Sequence, residues 1–203
     1  VVAMVFLPEL RVGGMQIFRS EGFDTFGKIL PRATEISSRI SGIYVVLTMS
    51  CAAAYMFSGM SAFDATVHAM TTIATGGFAN YDASFAAFDG GPIYVAVVFM
   101  ILAALPFVRF VQMTAGSAQP LLYDSQIRFF LKTAIVLITL LTLWRVMHDG
   151  VTSLAELRNV VFNVVSILTG TGYASADYML WGGLPVTVLF FVGLIGGCAG
   201  STS

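Results

Sequence analysis

Two short stretches carry the residue types that could do chemistry. Thr71 to Asp82 reads TTIATGGFANYD, and Ser166 to Asp177 reads SILTGTGYASAD. A shift of 95 positions lays Gly77 on Gly172, Phe78 on Tyr173, Ala79 on Ala174 and Asp82 on Asp177. Both are glycine-centred, rich in hydroxyls, and flanked by segments apolar enough to cross a membrane. A dehydrated monovalent cation needs several oxygen ligands, and rings of backbone carbonyls supply them without introducing full charges. Gly77 and Gly172 allow the unusual dihedrals that turn carbonyls toward an axis. The pair reads as two strips of an ion-selectivity filter, with Phe78 and Tyr173 packing outward to hold them in place. One such turn alone suits a helix break or a close helix contact equally well, since small residues are common there. The fixed offset behind two short helices decides for a filter.

Composition says what must position these turns. The 203-residue chain is 57% hydrophobic and only 10% charged, with a mean hydropathy of +0.86, whereas soluble domains are about 25% charged. It is an integral membrane protein whose first partner is the lipid bilayer; no nucleic-acid partner is expected, although the net charge of −1 by itself says nothing about one, and the distribution of charge along the chain is the informative quantity. Cys51 and Cys198 lie in apolar runs and serve as small hydrophobes. The chain starts and stops within apolar runs, so it is expected to be a fragment of a longer polypeptide.

In chain order, residues 1–8 look like the tail of an earlier span closed by Pro8, followed by a water-exposed stretch with Arg11, Arg19, Lys28, Arg32 and Arg39. Ile40 to Phe63 has no charged residue, and at about 1.5 Å per residue it exceeds the roughly 30 Å of hydrocarbon. Ser61 to Ala74 follows as a short helix, with Ser61 as N-cap and Asp64 in its first turn. Gly90 to Val108 is the second span; Pro92 fits its first turn, and Pro106 kinks or ends it. Gln112 to Gln126 is a second polar connection. Phe129 to Met147 is the third span, Ser153 to Leu168 the second short helix with a Ser153/Glu156 capping box, and Tyr178 to Ser203 a fourth apolar run broken by glycines. The order span, short helix, glycine turn, span thus occurs twice, the mark of duplicated re-entrant pore loops.

Charge sets the sidedness. Eight of the ten basic residues lie in the two connections between repeats, leaving Arg145 and Arg158 beside the glycine turns. By the positive-inside rule those connections are cytoplasmic and the turns enter from outside. Asp64, Asp82, Asp89, Asp149, Glu156 and Asp177 lie on the outer side, an excess of negative charge that concentrates cations at a pore mouth. Two strips cannot surround an ion. Four make a ring, so the others are expected upstream of Val1 and downstream of Ser203, or in another subunit.

The turns at Thr75, Gly76, Gly77, Phe78 and at Thr169, Gly170, Thr171, Gly172, Tyr173, the Leu10 to Gln16 run LRVGGMQ, and Gly196, Gly197, Cys198, Ala199, Gly200, Ser201, Thr202 together resemble the TrkH family. These are membrane subunits of bacterial Trk-type potassium uptake systems, within the Trk/Ktr/HKT superfamily. The resemblance implies an all-α membrane protein of repeated helix, re-entrant pore loop, helix units forming a potassium-channel-like pore in the bacterial inner membrane. Four such repeats surround one pore. Residues 1–39 are then the end of a first-repeat span and a cytoplasmic loop, 40–113 a complete pore repeat, and 114–203 the next repeat, truncated in its second helix. Gly77 and Gly172 match filter glycines, and the backbone of Ala74, Thr75, Gly76, Thr169, Gly170 and Thr171 joins them in ligating potassium. Potassium is the transported ion, with no organic cofactor. Residues 196–202 match an intramembrane gating loop below the filter. A cytoplasmic nucleotide-binding TrkA-type regulatory subunit and a homodimer are implied as partners.

Other readings stand beside these. The 193–203 run also suits a flexible end, and it lacks the lysine of a phosphate loop. His68 and His148 read as structural or interfacial, without a metal-ligand set nearby. Asp82 and Asp177 suit either cation attraction or plain solvation; Asn163 suits either a brace for the second strip or ordinary helix packing. A secondary transporter with broken helices around a small solute is the alternative function, although such a site expects polar side chains at midplane. An intramembrane enzyme ranks last, because the spans hold no paired histidine or aspartate.

Overall fold

The structure, a computed structural model, describes residues 33–114, 116, 119, 123–150 and 153–202, with side chains from residue 38 onward. The expected earlier span at 1–8, most of the basic stretch after it and the LRVGGMQ run lie outside the described residues. Seven α-helices and two 3-10 turns are described: α1 Ala33–Phe57, α2 Ala62–Ile73, α3 Gly91–Ala103, α4 Phe107–Thr114, α5 Ser125–Asp149, α6 Leu154–Leu168 and α7 Gly183–Gly193, with the 3-10 turns at Ser84–Ala87 and Tyr178–Trp181. The order long helix, short helix, glycine turn, apolar helix occurs twice, as α1–α4 and as α5–α7.

α1 begins seven residues before Ile40 and ends six before Phe63. Charge marks where this helix leaves hydrocarbon rather than where it ends, and at its other end Gly59, at φ +103°, turns the chain back into α2. α5 likewise extends past Phe129–Met147 to 25 residues, from the Asp124 N-cap to Gly150, a left-handed C-cap that donates to the Arg145 carbonyl. The expected span at 90–108 is not one rod. α3 and α4 meet at an 87° bend across Ala104–Pro106, where Pro106 removes a helical donor. Two helices, Ser38–Phe57 and Ser125–Asp149, are long and apolar enough to cross a membrane, and the bent α3–α4 pair makes a third candidate span. α7, with 11 residues, is too short to cross alone. The three spans expected from hydropathy are therefore two continuous helices and one bent pair, and the fourth, glycine-broken apolar run is one short helix, among the described residues.

Lipid tails are as apolar as leucine, so helices in a bilayer associate by close packing of small residues more than by escape from water. The main core follows that rule: Cys51, Ala65, Ala69, Ala96 and Ala103 are fully buried, and Tyr55, Phe85, Phe162 and Tyr173 fill the spaces between them. Phe162 and Val165 of α6 belong to this same cluster. The two halves of the chain thus share one core, and both glycine turns sit at its edge.

Candidate functional site

The two short helices deliver the turns in matched geometry. α2 ends with the Ala74 N–H donating to Met70 O, and α6 with Thr169 N–H donating to Val165 O. Next, Thr75 N–H donates to Thr72 O and Gly170 N–H to Ile167 O. All four pairs superpose under the 95-residue shift. The helix N-termini do not: α6 is three residues longer than α2, and Glu156 turns toward Arg145 at 3.9 Å while Ser153 Oγ accepts from Ala155 N. The C-terminal ends, which carry partial negative charge, are the part held constant.

Within the turns φ alternates in sign. It is positive at Thr75 (+49°) and Gly77 (+67°), with Gly76 between them in the ordinary negative range, and positive again at Gly170 (+72°) and Gly172 (+85°), flanking Thr171. Alternation between the two hands aligns successive N–H groups along one edge of the backbone, which leaves the carbonyls to the other. The turns also touch. A Cβ placed on Gly77 would overlap the Thr171 carbonyl oxygen and lie 3.0 Å from its carbon and 3.2 Å from the carbonyl carbon of Gly172. The fold therefore sets the turn of Ala74 to Gly77 against the turn of Thr169 to Gly172, with Gly77 facing Thr171 and Gly172.

Side chains then fix the second turn. Tyr173, 1% exposed, crosses to the first half of the chain. Its hydroxyl shares hydrogen bonds with Thr71 Oγ1 and Thr72 Oγ1 and donates to His68 O at 3.2 Å. Ser166 Oγ donates to Tyr173 O at 2.7 Å. The next residue is tied too: Ala174 N donates to Ser84 Oγ, and Ala174 O accepts from Ala86 N. Phe78 departs from expectation. It does not pack outward against this chain but is 76% exposed, lining an open apolar groove with Tyr44, Thr48, Met70 and Thr71. Tyr173 has a neighbouring pore helix to enter on its side of the structure, and Phe78 has none among the described residues.

A second pair of braces ties each helix to the limb beyond its turn. In the first half, the Asp64 carboxylate accepts from Asn80 Nδ2 at 3.0 Å and from the Tyr81 hydroxyl at 3.1 Å. These bonds and that of Ser61, the Asn80 amide first among them, hold the Asp64 carboxyl below its ordinary value. In the second half, Asn159 Oδ1 accepts from Ser175 Oγ at 3.1 Å, and Asn163 Nδ2 donates to Asn159 O and to Ser175 Oγ. The 95-residue shift lays Asp64 on Asn159, Asn80 on Ser175 and His68 on Asn163. Asn163 is thus a brace, fully buried. Asn80, Asn159, Ser166 and Ser175 were not singled out from sequence, though the same offset that aligns the glycines also aligns them.

His68 is fully buried, with its ring edge-on to Phe85 and Phe88 and its Nδ1 facing Asp64 O at 2.8 Å. His148 is exposed, stacked on Trp144 and beside Asp149. Both are structural in this setting. Three of the outer acids are paired: Asp149 and Glu156 with Arg145, and Asp89 with Arg158 at 3.5 Å. Asp177 N-caps the second 3-10 turn by accepting from Met179 N. At the opposite end Arg109 grips Asp124 through both Nε and Nη2 at 2.6 Å.

Residues 196–202 do not dangle. After α7 the chain turns at Gly196 and Gly200, both at positive φ, and returns to the α3–α4 bend, where Cys198 N donates to Ala104 O and Phe107 N donates to Gly200 O. The reading of this run as a flexible end is not what the structure gives.

Comparison with known proteins gives this geometry a family. The TrkH family, described as "Cation transport protein", matches residues 1–203. The chain is 44% identical over its whole length to the Trk system potassium uptake protein TrkI of Halomonas elongata, and 35% identical to TrkH of Escherichia coli K12. It spans about 42–43% of the length of these relatives. The crystal structure of the potassium transporter TrkH from Vibrio parahaemolyticus superposes with a TM-score of 0.83 at 32% identity, covering 99% of this chain and 42% of that one. By match across all its residues, the chain belongs to the TrkH family of membrane cation transport proteins.

Proposed function

We propose that this chain supplies two of the four strips of a potassium-selective filter in an uptake system of the bacterial inner membrane. The observation that carries the reading is the backbone contact of two turns with the same alternating φ, at Gly77 and Thr171. In this reading the carbonyls of Ala74 to Gly77 and of Thr169 to Gly172 replace water around the ion. Residues 40–113 form one pore repeat and 114–203 most of the next. The groove beside Phe78 receives the pore helix of a preceding repeat, as the α2 flank receives Tyr173 here. Relatives named as potassium uptake proteins support potassium as the cargo, carried as substrate with no organic cofactor.

Residues 196–202 act as the gate. The basic connections on the cytoplasmic side offer a face for a nucleotide-binding TrkA-type subunit, and the assembly is a homodimer. The test is rubidium and potassium uptake by the full-length protein in lipid vesicles. Replacing both Gly77 and Gly172 by valine is expected to abolish uptake while leaving insertion intact. Undiminished uptake in that double variant overturns the filter, and competition by an organic solute would point to a secondary transporter instead.

A further inference from the structure

The bend between α3 and α4 leaves helical hydrogen-bonding groups open, and the 196–202 loop takes them up. In an unbroken helix Phe107 N–H would donate to Ala103 O, four residues back. Here that bond is split. Ala103 O accepts instead from Thr202 N at 3.3 Å and from Thr202 Oγ1 at 3.0 Å, and Phe107 N–H donates to Gly200 O at 3.1 Å. Ala104 O, the next open carbonyl, accepts from Cys198 N at 3.0 Å. Pro106 has no N–H to offer Leu102 O, which accepts from Leu105 N instead. Four hydrogen bonds from a segment about 100 positions later in the chain therefore cap both ends of a broken helix. Buried backbone groups left without partners are costly, so the bend and the seated loop require one another.

We propose that the α3–α4 bend is the seat of the gating loop, and that Thr202 is the positioning residue that latches it. The inference rests on the reading of 196–202 as the gate and adds what holds it. The seat has two arrangements of its own donors and acceptors. With α3–α4 bent, Ala103 and Phe107 serve the loop; with α3–α4 straighter, they serve each other and the loop has no anchor. Such a pair of alternatives is what a switch requires. α4 is the handle. Its Arg109 is clamped to Asp124 at the start of α5, on the side that charge assigns to the cytoplasm. A force applied there reaches the loop within the same helix, since Phe107, which donates to Gly200 O, lies two residues before Arg109.

The test uses the full-length protein in lipid vesicles and two readouts, potassium flux without added effector and the reaction rate of Cys198 with a membrane-permeant maleimide. Cys198 is 8% exposed, and Cys51, the other cysteine of these 203 residues, is fully buried; labelling is read at the Cys198 peptide by mass spectrometry. Thr202→Val keeps the side-chain shape and removes the hydroxyl donor; Thr202→Ser keeps the donor. Thr202→Val is expected to raise Cys198 reactivity and flux about fivefold, equivalent to about 1 kcal/mol, the net size of one hydrogen bond. Thr202→Ser retains the slow thiol reaction. Pro106→Ala restores a helical donor, favours the straighter arrangement and raises both readouts as well.

Unchanged Cys198 reactivity in both Thr202→Val and Pro106→Ala overturns the seat. Raised reactivity with unchanged flux overturns its role in gating. Wild-type protein that carries no potassium overturns the pore reading instead, and the thiol rates then decide the seat by themselves.

Discussion

The two glycine turns share a backbone path but are held by different chemistry. Beyond the first, the brace is a carboxylate at the water-exposed N-terminus of α2, Asp64, gripping Asn80 and Tyr81. Beyond the second, it is a neutral network of buried Asn163 and Ser175 with half-buried Asn159. The residues at the turns are also exchanged. Thr75 and Gly76 occupy the places taken by Gly170 and Thr171, so the first copy sets a β-branched residue at positive φ where the second sets glycine. A threonine held there costs on the order of 1–3 kcal/mol. Duplication conserved the dihedrals and the ties from helix to limb, and left the identity of each tie free to change. In the filter proposed above, common geometry with divergent chemistry leaves the brace of the first turn open to acid while that of the second is neutral.

The largest effect should come from the place where the copies touch. Gly77→Ala drives a Cβ into the Thr171 carbonyl, whereas a Cβ on Gly172 meets nothing within 4 Å among the described residues and adds left-handed strain of about 1–2 kcal/mol. Potassium uptake by full-length protein is expected to fall at least about tenfold further in Gly77→Ala than in Gly172→Ala, since about 1.4 kcal/mol separates each decade. Equal losses would show that the contact is not limiting.

Next in size is Tyr173→Phe. It removes one hydroxyl that serves Thr71, Thr72 and the His68 carbonyl, a loss of about 1–3 kcal/mol readable as a lower Tm. Potassium-over-sodium discrimination should fall with it, and unaltered discrimination would assign the strip's rigidity to Ala174 and its bonds to Ser84 and Ala86.

The smallest effect is pH-dependent. Because the folded protein lowers the Asp64 pKa below its ordinary 3.8, the brace is intact above that value and is lost as external pH falls through the lowered one. Asp64→Asn copies the neutral second brace and should flatten the acid response of uptake below pH 3.8. An identical acid response in wild type and Asp64→Asn would place the titrating group elsewhere.

Much of this was legible in the residues. The 95-residue offset located both turns, Ser61 and Ser153 marked the helix starts, and Pro106 marked a break. Less was legible where a residue's partner lies far away in sequence. Phe78 and Tyr173 align, yet one is exposed and the other buried, because what decides their fate is whether a neighbouring pore helix is present. Pro106 foretold a kink but not its 87° angle, which the loop at 198–202 stabilises from across the fold. Helix ends at Ala33 and Asp149 escaped a hydropathy reading, since charged residues suit a helix that continues into water.

The Tyr173 hydroxyl meets Thr71 across 102 positions of sequence, and that separation has a consequence for biogenesis. Contacts so distant are closed late, after the entropy of a long loop has been overcome. During synthesis α2 and its turn enter the membrane before the clasp for their neighbour has been made. The first strip therefore waits, Thr71 and Thr72 without their distant partner, until α6 arrives behind it. Joining of the two turns is in this sense a closing step, and a chain halted before Tyr173 leaves Thr71 without its clasp.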